Sequence, residues 1–125
     1  YIEKWDTNSG LRQSYLKGHT ANVNGLRFTH DGRFLLSSAL DHTIRKWNLE
    51  TDMCECVFSG HSGIISEILP SKDGKHLHSW SKEEKVVRRW DLSDGACVSV
   101  LAGHSANLTK ILESKDGRSI YSCSH

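Results

Sequence analysis

The chain is 125 residues long and carries 16 Lys plus Arg against 15 Asp plus Glu, a formal net charge of +1 with histidine neutral. That balance argues against nucleic acid or an anionic membrane surface as the main partner, and no apolar run approaches the ~18 residues a membrane helix needs. No signal-peptide pattern opens the sequence, which starts at Tyr1 inside an expected strand and reads as a cut or trimmed product.

Tyr1-Ile2-Glu3-Lys4-Trp5 and a stretch ending in Tyr15-Leu16 read as two strands, after which the chain reaches Gly18-His19. Val23-Asn24-Gly25-Leu26-Arg27-Phe28 has the apolar patterning of a strand, and Asp31-Gly32 behind it has the chemistry of a tight hairpin turn. Phe34-Leu35-Leu36-Ser37-Ser38 is a second, largely buried strand. Leu40-Asp41-His42 turns the chain into Thr43-Ile44-Arg45-Lys46-Trp47, a third strand with β-branched and aromatic residues. Cys54-Glu55-Cys56-Val57-Phe58 is the fourth and leads into another Gly-His pair. Nowhere does a 3.6-residue period persist, so the expectation is short antiparallel strands and no helix.

The punctuation then repeats. Gly18-His19, Gly60-His61 and Gly103-His104 are spaced 42 and 43 residues apart, and Asp31-Gly32, Asp73-Gly74 and Asp116-Gly117 keep the same two spacings. So do Trp5-Asp6, Trp47-Asn48 and Trp90-Asp91. A period in this range carried by turn residues marks a repeat architecture, whose units cannot bury a hydrophobic face alone. Core positions recur in step: Ile2, Ile44 and Val87 on the third strand; Leu16, Phe58 and Leu101 on the fourth; Val23, Ile65 and Leu108 on the first; Leu35, Leu77 and Ile120 on the second. Stacked sheets need such matched positions.

Several groups invite chemistry and have plainer explanations. Cys54, Cys56, Cys97 and Cys123 lack zinc-ligand spacing, and C-x-C on one strand is poor disulfide geometry, so free thiols are expected. His76 and His78 share one side of a strand, but no periodic third ligand accompanies them, and a polar strand face is expected in place of a metal site. The mixed-sign run from Lys82 to Arg89 reads as a solvated turn and strand. Asn107-Leu108-Thr109 is a glycosylation sequon by pattern only.

The Gly-His pairs, the Asp-Gly turns, the Ser-x-x-x-Asp of Ser37 and Asp41, and the closing Trp47-Asn48 together resemble the WD-repeat family of β-propellers, over essentially the whole chain. The resemblance implies an all-β fold of four-stranded blades around a central channel. Each sequence repeat is then offset from its blade. Residues 1–17 would be the third and fourth strands of one blade, 18–59 and 60–102 full blades, and 103–125 the first and second strands of another. The resemblance also assigns His19, Ser37, Asp41 and Trp47 to a buried hydrogen-bond network, with His61, Ser79, Glu83 and Trp90 in the second repeat and His104 and Ser122 in the third. Counting from Asp73-Gly74 places Glu83 where the aspartate belongs. One extra residue before Trp90 leaves Glu84 as an alternative, and a distorted second network is expected. Trp80 stands where the other repeats have Ser38 and Cys123. Ser37, His19 and Asp41 carry the residue types of a hydrolase triad, but no G-x-S-x-G elbow is present and the set recurs by repeat, so no catalytic residues are expected.

The family's exposed contact positions fall on Asn22, Asn24 and Leu40, then on Ile64, Ser66 and Lys82, then on Asn107 and Thr109, with His125 at the end. The resemblance therefore implies a non-catalytic interaction scaffold for proteins or peptides, without cofactor or metal, in the cytoplasm or nucleus. The alternative is a self-assembling structural fragment. The flanking half-blades look complementary, so two copies would close a ring of about six blades and three would need about nine, within or beyond the usual range of about four to eight. Otherwise the remaining blades of a longer parent chain supply the contacts.

Overall fold

The computed structural model describes residues 1–125, which form strands throughout and no helix. The strands are β1 (Ile2–Trp5), β2 (Arg12–Leu16), β3 (Val23–Phe28), β4 (Phe34–Ala39), β5 (Thr43–Asn48), β6 (Cys54–Ser59), β7 (Ile65–Pro70), β8 (His76–Ser81), β9 (Val87–Asp91), β10 (Cys97–Leu101), β11 (Leu108–Glu113) and β12 (Ile120–Ser124). They pair antiparallel with their chain neighbours into four sheets: β1–β2, β3–β4–β5–β6, β7–β8–β9–β10 and β11–β12. The architecture is therefore all-β, two four-stranded blades flanked by two two-stranded sheets.

The Asp-Gly turns close the first hairpin of each unit. Asp31 Oδ1 accepts from the Thr29 hydroxyl at 2.7 Å and the Arg33 N–H at 3.0 Å, while Gly32 sits at φ 70°. That left-handed conformation favours glycine because it has no Cβ, and Gly74 and Gly117 repeat it at φ 72°. The β4–β5 turn places His42 at φ 65°, and the β8–β9 turn places Lys85 at φ 57°.

The sheets stack face to face, and each joint is apolar. Leu16 of β2 packs on Leu35 and Trp47. Leu36, Ile44 and Phe58 of the first blade meet Ile65, Ile68, Leu77 and Trp90 of the second. Trp80 and Val87 then pack on Leu108 and Ile111 of the last sheet. At roughly 1.5–3 kcal/mol per buried large apolar side chain, these joints supply most of the cohesion that single blades lack. Leu101 departs from its expected core role and is exposed, because β11–β12 covers only the inner half of the β7–β10 sheet.

Candidate functional site

Each full blade holds a relay from strand to strand. Trp47 Nε1–H donates to Ser37 Oγ at 2.8 Å, Ser37 Oγ lies 2.7 Å from His19 Nε2, and His19 Nδ1 lies 2.8 Å from Asp41 Oδ2. The proton positions follow from the partners. A carboxylate only accepts, so His19 Nδ1 carries the proton and Nε2 accepts from the serine hydroxyl, whose lone pair takes the indole N–H. Asp41 also accepts from the Thr20 N–H at 3.0 Å and from the Thr43 hydroxyl at 2.7 Å. Burial pushes its carboxyl upward, but hydrogen bonds from Thr43, His19 and Thr20 outweigh that and hold it below the usual range.

The second blade builds the same relay on a different acid. Trp90 Nε1 donates to Ser79 Oγ at 2.7 Å and Ser79 Oγ lies 2.7 Å from His61 Nε2. The carboxylate facing His61 Nδ1 belongs to Glu84, and Glu83 lies outside the relay, accepting from Ser81 Oγ at 2.6 Å. This corrects the assignment of Glu83. Counted back from Trp90, Glu84 matches Asp41, and the left-handed Lys85 and His42 follow them. The added residue is absorbed between Ser79 and Glu84, so the expected distortion of the histidine, serine and tryptophan distances does not occur. What changes is the outer arm. Val86 has no hydroxyl where Thr43 has one, and Arg88 Nη2 reaches Glu84 Oε1 at 3.0 Å instead. Burial raises the Glu84 carboxyl, yet hydrogen bonds from His61, Ser62 and Arg88 prevail and bring it to about 2. In the third repeat, His104 Nε2 meets Ser122 Oγ at 2.7 Å, and Nδ1 meets Ser124 Oγ at 3.0 Å.

The connectivity of Asp41, His19 and Ser37 is that of a triad, but its chemistry is closed. Ser37 and Ser79 are both 0 % exposed, and their oxygens already receive an indole proton. No reacting atom can reach them, and nothing stands by to stabilise an oxyanion. No grouping of three His, Cys, Asp or Glu side chains could hold a metal. His76 and His78 do line one hollow, where Arg89 Nη2 donates to His76 Nδ1 at 3.0 Å. Burial, with the Arg89 and His76 charges behind it, pushes the His78 imidazole down to about 4. All four cysteines are free.

The candidate contact residues Asn22, Asn24, Leu40, Ile64, Ser66, Lys82, Asn107 and Thr109 are all exposed. Five of them, Asn24, Ile64, Ser66, Lys82 and Thr109, line one open hollow of about 520 Å³ with Arg27, Glu67 and Glu83 on its walls. Asn22 and Leu40 meet each other through a backbone bond of 2.9 Å and do not line that hollow, nor does Asn107. Asn24 is committed elsewhere. Its Nδ2 donates to the Ile65 carbonyl at 2.8 Å and its Oδ1 accepts from Ser38 Oγ at 2.9 Å, clasping two blades together.

One recurrent feature escaped the sequence pattern. A cation precedes the tryptophan that closes each repeat, Trp5, Trp47 and Trp90: Lys4, Lys46 and Arg89. Lys46 Nζ donates to the Leu92 carbonyl at 3.0 Å, and Lys4 Nζ to that of Leu49 at 3.4 Å, each in the next sheet. The periodicity was available, but a lysine on a strand reads as solvated until the neighbouring sheet is in view.

Comparison with known proteins agrees with these repeats. The family model for the WD domain, G-beta repeat, matches residues 10–48. The chain is similar to the probable E3 ubiquitin ligase complex SCF subunit sconB of Aspergillus clavatus, 40% identical over 55 residues, or 44% of this chain and 8% of that protein. It is similar to nuclear distribution protein nudF of Aspergillus niger, 32% identical over 85 residues, covering 66% of this chain and 19% of that one. Apoptotic protease-activating factor 1 of Danio rerio matches at 40% over 68 residues, 53% of this chain and 5% of that protein. The chain spans less than a fifth of the length of these relatives. Four-stranded antiparallel blades with a repeated tryptophan, serine and histidine relay define a propeller-type repeat protein. Residues 10–48 match a WD repeat, and the tryptophan, serine and histidine geometry recurs in the unit that follows.

Proposed function

We propose that the chain is a non-catalytic scaffold that binds partner proteins or peptides through the loop face carrying Asn22, Asn24, Leu40, Ile64, Ser66, Lys82, Asn107 and Thr109. The observation that carries this is the hollow of about 520 Å³, which gathers five of those residues from three different sheets onto one open surface. Ile64, 42 % exposed, offers an apolar anchor in the hollow with hydrogen bonds from Ser66 and Lys82 beside it, and Leu40, 39 % exposed, offers a second apolar side chain outside it. Residues 18–59 and 60–102 each supply one blade to that face, and the relays hold the turns that present it. An intracellular setting belongs to the same reading: the four thiols are free, no helix is long and apolar enough to cross a membrane, and relatives carry names such as nuclear distribution protein.

Leu40→Asp tests the assignment. Leu40 lies outside the apolar clusters, so the melting temperature should move by no more than ~0.5 kcal/mol equivalent, while retention of a partner captured from extract at physiological salt should fall. A partner that crosslinks instead around Cys54 and Cys97 on the outer strands would overturn it.

A further inference from the structure

Asn24-Gly25 is the one asparagine–glycine pair in the sequence, and it lies in the joint between the two full blades. Asn24 is the bulged residue of β3: Val23 pairs with Ala39 and Gly25 with Ser38, which leaves the residue between them outside the ladder. Its side chain is held from two sides. A carbonyl only accepts, so the atom 2.8 Å from the Ile65 carbonyl of β7 is the amide Nδ2, and Oδ1 takes the Ser38 hydroxyl of β4 at 2.9 Å. Gly25 belongs to the same arrangement, because a Cβ there would collide with Ser38 Oγ. Any side chain at 25 would displace the hydroxyl that holds Asn24 Oδ1. The clasp therefore requires the neighbour that least shields its own backbone nitrogen, since glycine has no Cβ. The bulges of β7 and β11 carry Ser66-Glu67 and Thr109-Lys110 at these positions, with neither an amide nor a glycine.

We propose that Asn24 is a latent deamidation site, guarded by the joint that its own side chain closes. In the reaction the Gly25 nitrogen loses its proton and bonds to Asn24 Cγ, Nδ2 leaves as ammonia, and water opens the cyclic imide to aspartate or isoaspartate. While β7 holds Nδ2 and β4 holds Oδ1, Cγ cannot turn back over the Gly25 nitrogen, and the pair is inert. Opening of the joint releases both atoms at once. Closure is impaired afterwards, because a carboxylate at 24 has no proton for the Ile65 carbonyl and adds a negative charge to the hollow that Glu67 and Glu83 already line. Isoaspartate does more. It adds a methylene to the β3 backbone and shifts Leu26 and Arg27 against Ser37 and Leu36, so the disturbance reaches the serine of the relay. Conversion is thus an irreversible record that this joint has opened. The inference is independent of what the loop face binds.

Peptide mass spectrometry of the protein, incubated at one mildly alkaline pH in native buffer and in urea, tests it. Fragmentation of the tryptic peptide of residues 18–27 separates Asn24 from Asn22, and the same peptide made synthetically gives the rate of the unguarded pair. Asn24 in the native protein should convert slower than in the free peptide by about tenfold or more, since reaction is confined to molecules whose joint is open. In urea the two rates should meet. Ser38→Ala, which frees Oδ1, should speed conversion severalfold in native buffer, and Asn24→Asp should lower the melting temperature. A native rate equal to that of the peptide would overturn the proposal, as would a folded Ser38→Ala protein that converts at the unaltered rate. Should Ser38→Ala fail to fold, the unaltered protein decides. Its Asn24 rate should rise in urea below the unfolding transition, and a rate that stays flat until global unfolding would give the guard to the whole fold and overturn this assignment to the joint.

Discussion

The two full blades carry the same relay on different acids, and the comparison separates what a blade requires from what it tolerates. Ser37 and Ser79 keep the same 2.7 Å distance to their histidines, although one relay ends in Asp41 and the other in the longer Glu84. The geometry from tryptophan to histidine is set by adjacent strands in register, Leu35 opposite Trp47 and Leu77 opposite Trp90. The carboxylate arrives from a turn, and a turn can lengthen. The blades differ more at their joints. The first faces its neighbour with Leu36 and with the Asn24–Ser38 clasp, where the second presents His78 and Trp80. Trp80 Nε1, His78 Nδ1 and Arg89 Nε are buried there without partners. The joint between the second blade and β11–β12 therefore carries uncompensated polar groups, each a cost to stability.

The largest break in the comparison should come from the acids. Asp41→Ala leaves a buried imidazole proton and the Thr20 and Thr43 N–H groups without an acceptor, and Glu84→Ala leaves an imidazole proton and the Ser62 N–H, each at a cost of about 1–3 kcal/mol. Glu84→Ala belongs at the upper end because the partner it strips from Arg88 is a charged one, where Asp41→Ala strips the neutral Thr43 hydroxyl. Glu83→Ala should cost less, about 1 kcal/mol or under, since it removes a single part-buried bond from the Ser81 hydroxyl. Urea midpoints of the three variants check this, and a Glu83 variant as damaged as the Glu84 one would return the acid to the position first assigned from the hairpin turn.

That assignment shows where the sequence stops being legible. Strand identity and order follow from apolar patterning and turn residues, and β3 through β6 lie within a residue or so of where those place them. A spacing count cannot say on which side of an insertion a side chain lies, and Glu83 and Glu84 are chemically equal. Counting back from Trp90 would have chosen correctly, because the strand between them has no room for an extra residue. Contacts between sheets were out of reach for another reason. Asn24 looks like a free surface amide, and Lys46 like a solvated cation, until a neighbouring carbonyl comes within 2.8 Å and 3.0 Å respectively.

A smaller and reversible difference should appear with acid. His78 sits at about 4 in the folded chain against an ordinary 6.5, so on acidification the unfolded chain binds the proton first. Its contribution is complete above about pH 6.5 and declines as the pH falls toward 4, by an amount on the order of 1–3 kcal/mol. The charged and titratable groups around its hollow are His76, Arg89, Asp73, Glu113 and Arg118, and none offers the imidazole an acceptor. His61 is displaced in the same direction, chiefly by burial, and adds to the slope. His78→Leu copies Leu36 of the first blade and should flatten the decline in thermal midpoint between pH 7 and pH 5. An unchanged slope in that variant would assign the acid sensitivity to His61 alone.

The smallest effect should distinguish the three buried tryptophans of the two blades. Trp47 and Trp90 each lose a real hydrogen bond on conversion to Phe, at 2.8 Å and 2.7 Å to a serine that is itself fully buried. Each such change should cost about 1–2 kcal/mol from the bond, plus the void left by the smaller ring. Trp80 is as deeply buried, yet its Nε1 has no acceptor. Trp80→Phe removes an unpaired donor, worth about 1–3 kcal/mol in the opposite sense, and gives up part of the packing on Val87, Leu108 and Ile111, worth a comparable amount. The two contributions oppose, and the net change should lie within ~1 kcal/mol of zero. Thermal melts of the three Phe variants, run together, decide the point. If Trp80→Phe is as costly as the other two, its indole proton has a partner in solution, and the joint between the second blade and β11–β12 is not the uncompensated one.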